Sequence, residues 1–558
     1  MRQDHNVLIA GAGPTGLAMA IECKRAGIPV RIIDKSEQPA QHSQALGVQA
    51  RTLEQFERYG IADEAVAHGR KLYHGSLVSE QKKIFDFDFS RVPGRYPFAL
   101  FLPQSETERL LIAHLQSLGG DVERGTELLS FRNDKDGVEA QLRHHSGVTQ
   151  TFAARWLIGC DGAHSVVRRD LQVPFEGDTV GLDFFLGDLE LAGPDVPGDE
   201  LRVHSHHGNV VFIGRLDDKL HRVIVILHPG RETAPADRQP SLEDFQSAID
   251  ATGARITVRS SAWVTPFHIN QRKAKQYRVD SVFLAGDASH IHSPVAGQGM
   301  NTGIQDAANL AWKIAAVADG AGVEVLDTYN EERGAVGETL LKVTSRGLSA
   351  GTSDNPIFEG LRNLIGPALS NMEGVKRAVA GFVSETAINY RGSSIAADYG
   401  GEGSLRAGDR VPNPDVEFSG GKQGRLLDPL KDGRALALAI GIEDVRKVRA
   451  RVPRANVVEL RCADAILGTE MESPTGAQAG EVPGYHAVSA EFPDSAAVSA
   501  TAAARAFMPV GLLTPEITHL FGDENRVLVV RPDGYLGFRG CLDDLARLDD
   551  YARLTGLA

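Results

Sequence analysis

The stretch that most constrains this chain is Val7-Leu8-Ile9-Ala10-Gly11-Ala12-Gly13-Pro14-Thr15-Gly16. A short apolar run leads straight into G-x-G-x-x-G, and the residues from Leu17 to Arg25 carry a helical pattern. Strand, tight turn and helix N-terminus follow one another. The helix start offers unpaired amides and a partial positive charge that suit phosphate oxygens. Gly11 permits the sharp turn, Gly13 removes a side chain where a pyrophosphate must approach, and Gly16 lets helix and strand pack closely. A second apolar run, Val30-Arg31-Ile32-Ile33, ends in Asp34, 18 residues after Gly16. An acid there is placed for a ribose hydroxyl and repels a 2′-phosphate, so this site excludes NADP and leaves FAD or NAD.

A chain of 558 residues is too long for one core and implies two or three domains. Its formal net charge of −14 opposes binding to a polyanion, so no nucleic-acid partner is expected. The four cysteines, Cys23, Cys160, Cys462 and Cys541, are isolated, with neither disulfide-framework nor zinc spacing. No basic-then-apolar leader opens the sequence, and no apolar run approaches bilayer length. The expectation is a cytoplasmic protein with no membrane partner and no metal.

Along the chain, residues 1–73 read β-α-β and then helix. Phe85, Phe87 and Phe89 alternate with Asp86 and Asp88 at strand period. Ser105 and Glu108 have the spacing of a capping box. A second strand-turn-helix unit spans Trp156-Leu157-Ile158-Gly159-Cys160-Asp161-Gly162 to Arg168, and residues 180–275 read mostly as strands. Val282-Phe283-Leu284-Ala285-Gly286-Asp287 repeats the pattern, followed by Gly297-Gln298-Gly299-Met300-Asn301 and a helix from about Asn301 to Ala318. Helical pattern continues to about 400. Composition then shifts at Arg406-Ala407-Gly408-Asp409-Arg410, where a C-terminal unit begins.

Three motifs in this order carry a resemblance: Gly11-x-Gly13-x-x-Gly16, Asp161-Gly162-x-x-Ser165-x-x-Arg168, and Gly286-Asp287 with Gly297-Gln298-Gly299-x-Asn301. The chain resembles the single-component FAD-dependent aromatic hydroxylases of the p-hydroxybenzoate hydroxylase type. Within them it looks like the phenol hydroxylase and polyketide hydroxylase branch. Arg406 to Arg410 and Val530-Arg531-Pro532-Asp533-Gly534-Tyr535 resemble the start and a late hairpin of that branch's thioredoxin-like domain. The resemblance implies an α/β fold with an α+β substrate layer. A discontinuous Rossmann-like FAD-binding domain (1–73, 103–179 and 276–345) would enclose a substrate-binding β-sheet domain (74–102 and 180–275). A helical connection (346–404) and a thioredoxin-like domain (405–558) would follow. The C-terminal unit has no paired cysteines for redox work, so a structural or dimer-supporting role is expected.

The resemblance also implies roles. Gly11, Gly13 and Gly16 would hold the FAD pyrophosphate and Asp34 the ribose, with Lys35 beside it partly offsetting the charge. Gln44 stands where the family often has an arginine on the FAD phosphate, with Arg51 further along. Gln104 would lie next to the flavin. Asp161 would serve both FAD and NAD(P)H, and Gly286-Asp287 the ribityl chain. Gly297, Gly299, Met300 and Asn301 would meet the isoalloxazine. Pro294 would present a backbone carbonyl to substrate and flavin, and His292 would line the pocket; these two are the candidate catalytic positions.

The implied reaction hydroxylates a phenolic or polycyclic aromatic compound with O2 and NAD(P)H through a flavin C4a-hydroperoxide, the cofactor supplying the hard chemistry. No second G-x-G-x-x-G marks a nicotinamide domain, so NADPH or NADH would visit transiently. Baeyer–Villiger or antibiotic-inactivating oxygenation, a flavin reductase and a non-enzymatic flavoprotein stand as alternatives. His204, His206 and His207 adjoin Gly208-Asn209 and read as solvent-exposed turn histidines rather than metal ligands. Arg215, His221, Arg222 and His228 on the same sheet read as salt-bridge partners or a solvated face, with room for one of them to face the ring.

Overall fold

The computed structural model describes residues 6–39, 45–79, 81–226, 238–291, 297–351, 363, 365, 372–418, 422–442, 444–461, 510–522 and 525–558. Gln44, His228, His292, Pro294 and Cys462 lie outside the described residues.

The first sheet has six strands in the order Arg278–Val279, Val282–Leu284, Trp156–Gly159, Val7–Ala10, Val30–Asp34, Val122–Arg124. All neighbours run parallel except the first pair. Val7 to Ala10 and Trp156 to Gly159 are buried residue for residue, as a parallel sheet covered on both faces requires. Helix Pro14–Arg25 packs against helix Gly299–Ala318. This order puts the carboxyl ends of three adjacent strands side by side. The turns at Gly11, Asp161 and Gly286 therefore share one edge of one sheet, the edge where doubly wound folds bind nucleotides.

A second, eight-stranded sheet runs in the order His290–Ile291, Thr257–Ala274, Phe175–Ala192, Leu220–Ile226, Asn209–Arg215, Glu200–His206, His74–Ser79, Lys82–Asp88. Val211, Ile213, Val223 and Val225 project from one face onto Phe245 and Ile249 of helix Leu242–Asp250. On the other face Phe184, Val203, Val210, Phe212 and Ile226 form a second apolar group with Leu77 and Ile224. That second face turns toward the first sheet's unit: a Cβ placed on Gly214 would lie 2.3 Å from the Phe101 ring. Phe101 ends strand Ala99–Phe101, which pairs with Gly47–Val48.

Three local expectations are corrected. The alternation of Phe85, Phe87 and Phe89 stops short, because Asp88 accepts a hydrogen bond from Ser90 N (3.0 Å) and turns Phe89–Arg91 into a 3-10 helix. Ser105 caps nothing: the helix runs Gln104–Ser117 with Pro103 at its N-cap, and Glu108 accepts from Gln104 Nε2 (2.9 Å) instead. The helix expected from Asn301 begins at Gly299.

The C-terminal sheet centres on Asn456–Arg461, Leu436–Ile440, Arg526–Val530 and Leu536–Cys541, in that order. The first two run parallel and the remaining pairings are antiparallel. Helices Arg446–Arg451, Pro515–Phe521 and Leu545–Leu554 lie between or after these strands. Leu436, Leu438 and Ile440 enter one core while Ala437 and Ala439 enter the other, so strand period two serves both faces of the sheet. Among the described residues no helix is long and apolar enough to cross a membrane.

Candidate active site

At the first turn, Gly11 sits at φ +103°, and a Cβ on it would lie 2.3 Å from the Cys160 carbonyl oxygen. A Cβ on Gly16 would lie 2.0 Å from the Gly11 carbonyl oxygen. Both positions exclude any side chain. Gly13 is the opposite case: its φ is −74° and nothing lies within 4 Å of its Cβ position, so the loop is open there. Pro14 starts the helix without forfeiting an amide bond. Asp34 closes the turn from the side. Its Oδ2 accepts from Ala12 N at 2.7 Å, its Oδ1 accepts from Ser36 N at 2.8 Å, and Arg124 is 3.9 Å away. Lys35 beside it is exposed.

At the second turn, Asp161 Oδ2 accepts from Val166 N and Val167 N (2.7 and 3.2 Å), and Ser165 Oγ accepts from Arg168 N (2.9 Å). Asp161 Oδ1 is buried and has no partner among the described residues. Arg168 ties this turn to the third: its Nη2 donates to Ala163 O (2.8 Å) and its Nη1 to Ala288 O (3.0 Å).

At the third turn, Gly286 N donates to Asp306 Oδ2 (3.0 Å), and His290 Nε2 lies 2.8 Å from the same oxygen. Arg333 Nε donates to Asp306 Oδ1 at 2.6 Å, with both side chains fully buried. Burial pushes the Asp306 carboxyl up, but Arg333 and His290 outweigh it and hold it at about 2. Thr15 is wedged between this turn and the long helix. Cβ atoms on Gly286 and Gly303 would lie 2.6 and 2.2 Å from its Oγ1. Asp287 is exposed while Gly286 and Ala288 on either side are buried. The protein around it raises its pKa, mainly by desolvation; His290 opposes this and Asp306 adds to it.

Asn301, fully buried, joins the 297–301 stretch to the strand before helix Ala50–Tyr59. Its Nδ2 donates to Gly47 O (2.8 Å) and Gly297 O (2.7 Å), and its Oδ1 accepts from Gln49 N (2.9 Å). Gly299 and Met300 are half-buried, and Met300 packs on the main core. Helix Gly299–Ala318 has no side-chain cap, so its first amides are open. Gln104 Oε1 accepts from Ala45 N (3.3 Å), which brings Gln104 to the same stretch.

These residues fit FAD. Gly13 is a cradle that a Cβ would fill, Asp161 offers a buried oxygen with no partner among the described residues, Asp287 is an exposed carboxylate at the third turn, and two helix N-termini without side-chain caps meet the same edge. The residues that lock the three turns together, Thr15, Asp306 and Arg333, carry no local motif. Their signal is a charge set in an apolar helix run, Ile304-Gln305-Asp306-Ala307, or a small side chain opposite glycines. Among the described residues, no group of three or more His, Cys, Asp or Glu could hold a metal ion. Of the three turn histidines, His204 departs from expectation. It is 4 % exposed, sits within strand Glu200–His206 and is buried against the sheet. Arg222 pairs with Asp188 at 2.6 Å.

The FAD binding domain family matches residues 4–344. The rifampicin monooxygenase of Rhodococcus hoagii is 35% identical over 450 residues, covering 78% of this chain and 87% of that protein. The pentachlorophenol 4-monooxygenase of Sphingobium chlorophenolicum is 34% identical over 439 residues, covering 78% and 80%. Among solved structures, the anhydrotetracycline hydroxylase OxyS of Streptomyces rimosus superposes with a TM-score of 0.75 at 27% identity, covering 99% of this chain and 98% of that one. With the turns assembled at one sheet edge and this breadth of likeness, the chain belongs to the FAD-dependent aromatic monooxygenases.

Proposed function

We propose that the protein inserts one atom of O2 into a bulky, mostly apolar phenolic or polycyclic aromatic compound at the expense of NAD(P)H. The single observation that carries the substrate class is the inner face of the eight-stranded sheet. Leu77, Val203, Phe212 and Ile224 share that face, and the strand pairing of Leu77 with Phe85 and of Gly75 with Phe87 adds two more rings. Phe85 and Phe87 stand with ring centroids 4.9 Å apart. A flat, apolar ring system suits such a wall, and the Arg222–Asp188 pair on the same face neutralises its own charge.

When bound, the flavin supplies hydride acceptance and the activation of oxygen. The chain's residues supply the rest. The open loop at Gly13 and the N-terminus of helix Pro14–Arg25 take the pyrophosphate. Asp34 would take a ribose hydroxyl in place of the Ala12 amide, and Asp287 would serve the ribityl chain. The N-terminus of helix Gly299–Ala318 would favour negative charge on the bound ring. The apolar sheet face excludes water from the reacting centre. The family resemblance assigns Gln44, His292 and Pro294 to this site as well. We divide the chain as a discontinuous FAD-binding unit (1–73, 103–179 and 276–345), a substrate sheet (74–102 and 180–275), a helical connection (346–404) and a C-terminal unit (405–558). The central strand order of the last supports a thioredoxin-like reading.

The test is a panel of simple phenols and polycyclic phenols incubated with the holoenzyme, NAD(P)H and 18O2. Ring-dependent NAD(P)H oxidation with one labelled oxygen in the product is expected, strongest for the polycyclic compounds. NAD(P)H oxidation with no labelled product from any aromatic compound overturns the proposal.

A further inference from the structure

Glu385 is a fully buried acid held at φ +61°, a left-handed conformation that favours glycine. It belongs to a segment laid along the first two turns of helix Gly299–Ala318. Gln298 Nε2 donates to Phe382 O (3.0 Å), Thr302 Oγ1 donates to Glu385 Oε1 (3.2 Å), and Gln305 Nε2 donates to Glu385 Oε2. Gln298, Thr302 and Gln305 lie four and then three positions apart, so they form one helix face, and that face is the one the segment covers. The same segment meets helix Ala50–Tyr59 through Arg51 N and Ser384 O (3.2 Å), and the C-terminal unit through Arg410 Nε and Thr386 O (3.3 Å). Among the described residues Glu385 has no cationic hydrogen-bond partner, whereas Asp306 is bound by Arg333, and Glu332 by Lys313 and Arg531.

We propose that Glu385 is a positioning residue for the flavin, a protonated carboxyl that pins the first two turns of helix Gly299–Ala318 and releases its hold on the cofactor when it ionises. Burial pushes its pKa up to about 8; Arg333 and the hydrogen bonds from Thr302 and Gln305 oppose this only in part, so the acid is mostly protonated at pH 7. Gln305 Oε1 is buried without a partner among the described residues, so its amide turned end for end accepts the Glu385 proton. A negative charge at this point would oppose the positive end of the helix that faces the flavin. The charged groups facing Glu385 are Arg333 and Asp306, while the side chains of Arg51 and Arg410 are engaged by Glu54.

The inference rests on the flavin site described above, and a protein that binds no FAD at any pH would fail at that earlier step. Dilution of the holoenzyme with released-flavin fluorescence as readout tests it between pH 6 and pH 9.5. FAD affinity of the wild type is expected to be about tenfold weaker at pH 9 than at pH 7, the ratio for a group near pH 8 that must be protonated. Glu385→Gln, which keeps the shape and removes the proton, should hold its pH 7 affinity up to pH 9. Infrared spectra at pH 7 should show one protonated-carboxyl C=O band that vanishes in Glu385→Gln. Should that variant not fold, loss of the wild-type band over the pH range in which flavin is released decides the matter. A flat wild-type profile, an unchanged pH dependence in Glu385→Gln, or no such band overturns the proposal.

Discussion

Arg531 grips Glu332 with two hydrogen bonds, 2.7 Å from Nη1 and 3.0 Å from Nη2, and neither side chain is more than 1 % exposed. The pair joins the hairpin of the C-terminal sheet to helix Thr328–Gly351. Asp533 accepts from Arg531 (2.5 Å), Asn309 (3.2 Å) and Trp312 (3.3 Å), and Lys313 Nζ lies 2.9 Å from Glu332. The C-terminal unit therefore meets helix Gly299–Ala318 through a buried charge cluster.

Breaking that cluster from one side should be expensive, because the remaining charge stays buried. Arg531→Met or Glu332→Gln is expected to cost about 3–5 kcal/mol, read as a lowered Tm and faster proteolysis between residues 384 and 410. Replacing both partners with apolar residues should cost less than either single change. Thermal unfolding of the three variants checks the order.

Two glycines of one motif should part company. Gly13→Ala meets nothing within 4 Å and keeps an allowed φ, so the apoprotein should unfold at the wild-type temperature while FAD affinity falls by about tenfold or more. Gly16→Ala collides with the Gly11 carbonyl and should destabilise the fold by about 1–3 kcal/mol. Equal effects of the two on Tm would contradict the assignment of Gly13 to the ligand.

His204 should shape the acid limb of stability. Burial, with Arg202 adding, depresses its pKa from 6.5 to about 4. The folded state then binds fewer protons than the unfolded chain between pH 4 and pH 6.5, so stability falls as pH drops through that window. His204→Leu is expected to flatten the loss, measured as the urea midpoint at pH 7, 6, 5 and 4.

The inner sheet face should set substrate size. Phe212→Ala removes a ring from the apolar wall and is expected to lower kcat/KM for a polycyclic phenol by about 10–100-fold, mainly through KM. Activity on a single-ring phenol should change far less. Steady-state kinetics on both substrates separate this from a general loss of fold.

Much of the cofactor site was legible in the sequence because nucleotide binding is built from short local units. A strand, a glycine turn and a helix N-terminus announce themselves within ten residues, as Val7 to Gly16 and Trp156 to Arg168 do. Capping at Ser105 misled because Pro103 starts that helix earlier, and His204 misled because strand pairing carried it past the turn and under the sheet.

What the sequence determined by itself was the frame for nucleotide binding: three glycine-and-acid turns, an acid at Asp34 closing the second strand, and a chain too long for one core. Tertiary structure alone decided which side chains lock those turns together and which elements they join. Thr15 against Gly286 and Gly303, Asp306 between His290 and Arg333, Glu385 on the face of Gln298, Thr302 and Gln305, and Arg531 on Glu332 are contacts between residues from 16 to 288 positions apart. Such contacts depend on strand order and helix packing. No local period or propensity encodes them, since their energy is gained only after burial has removed the competing water.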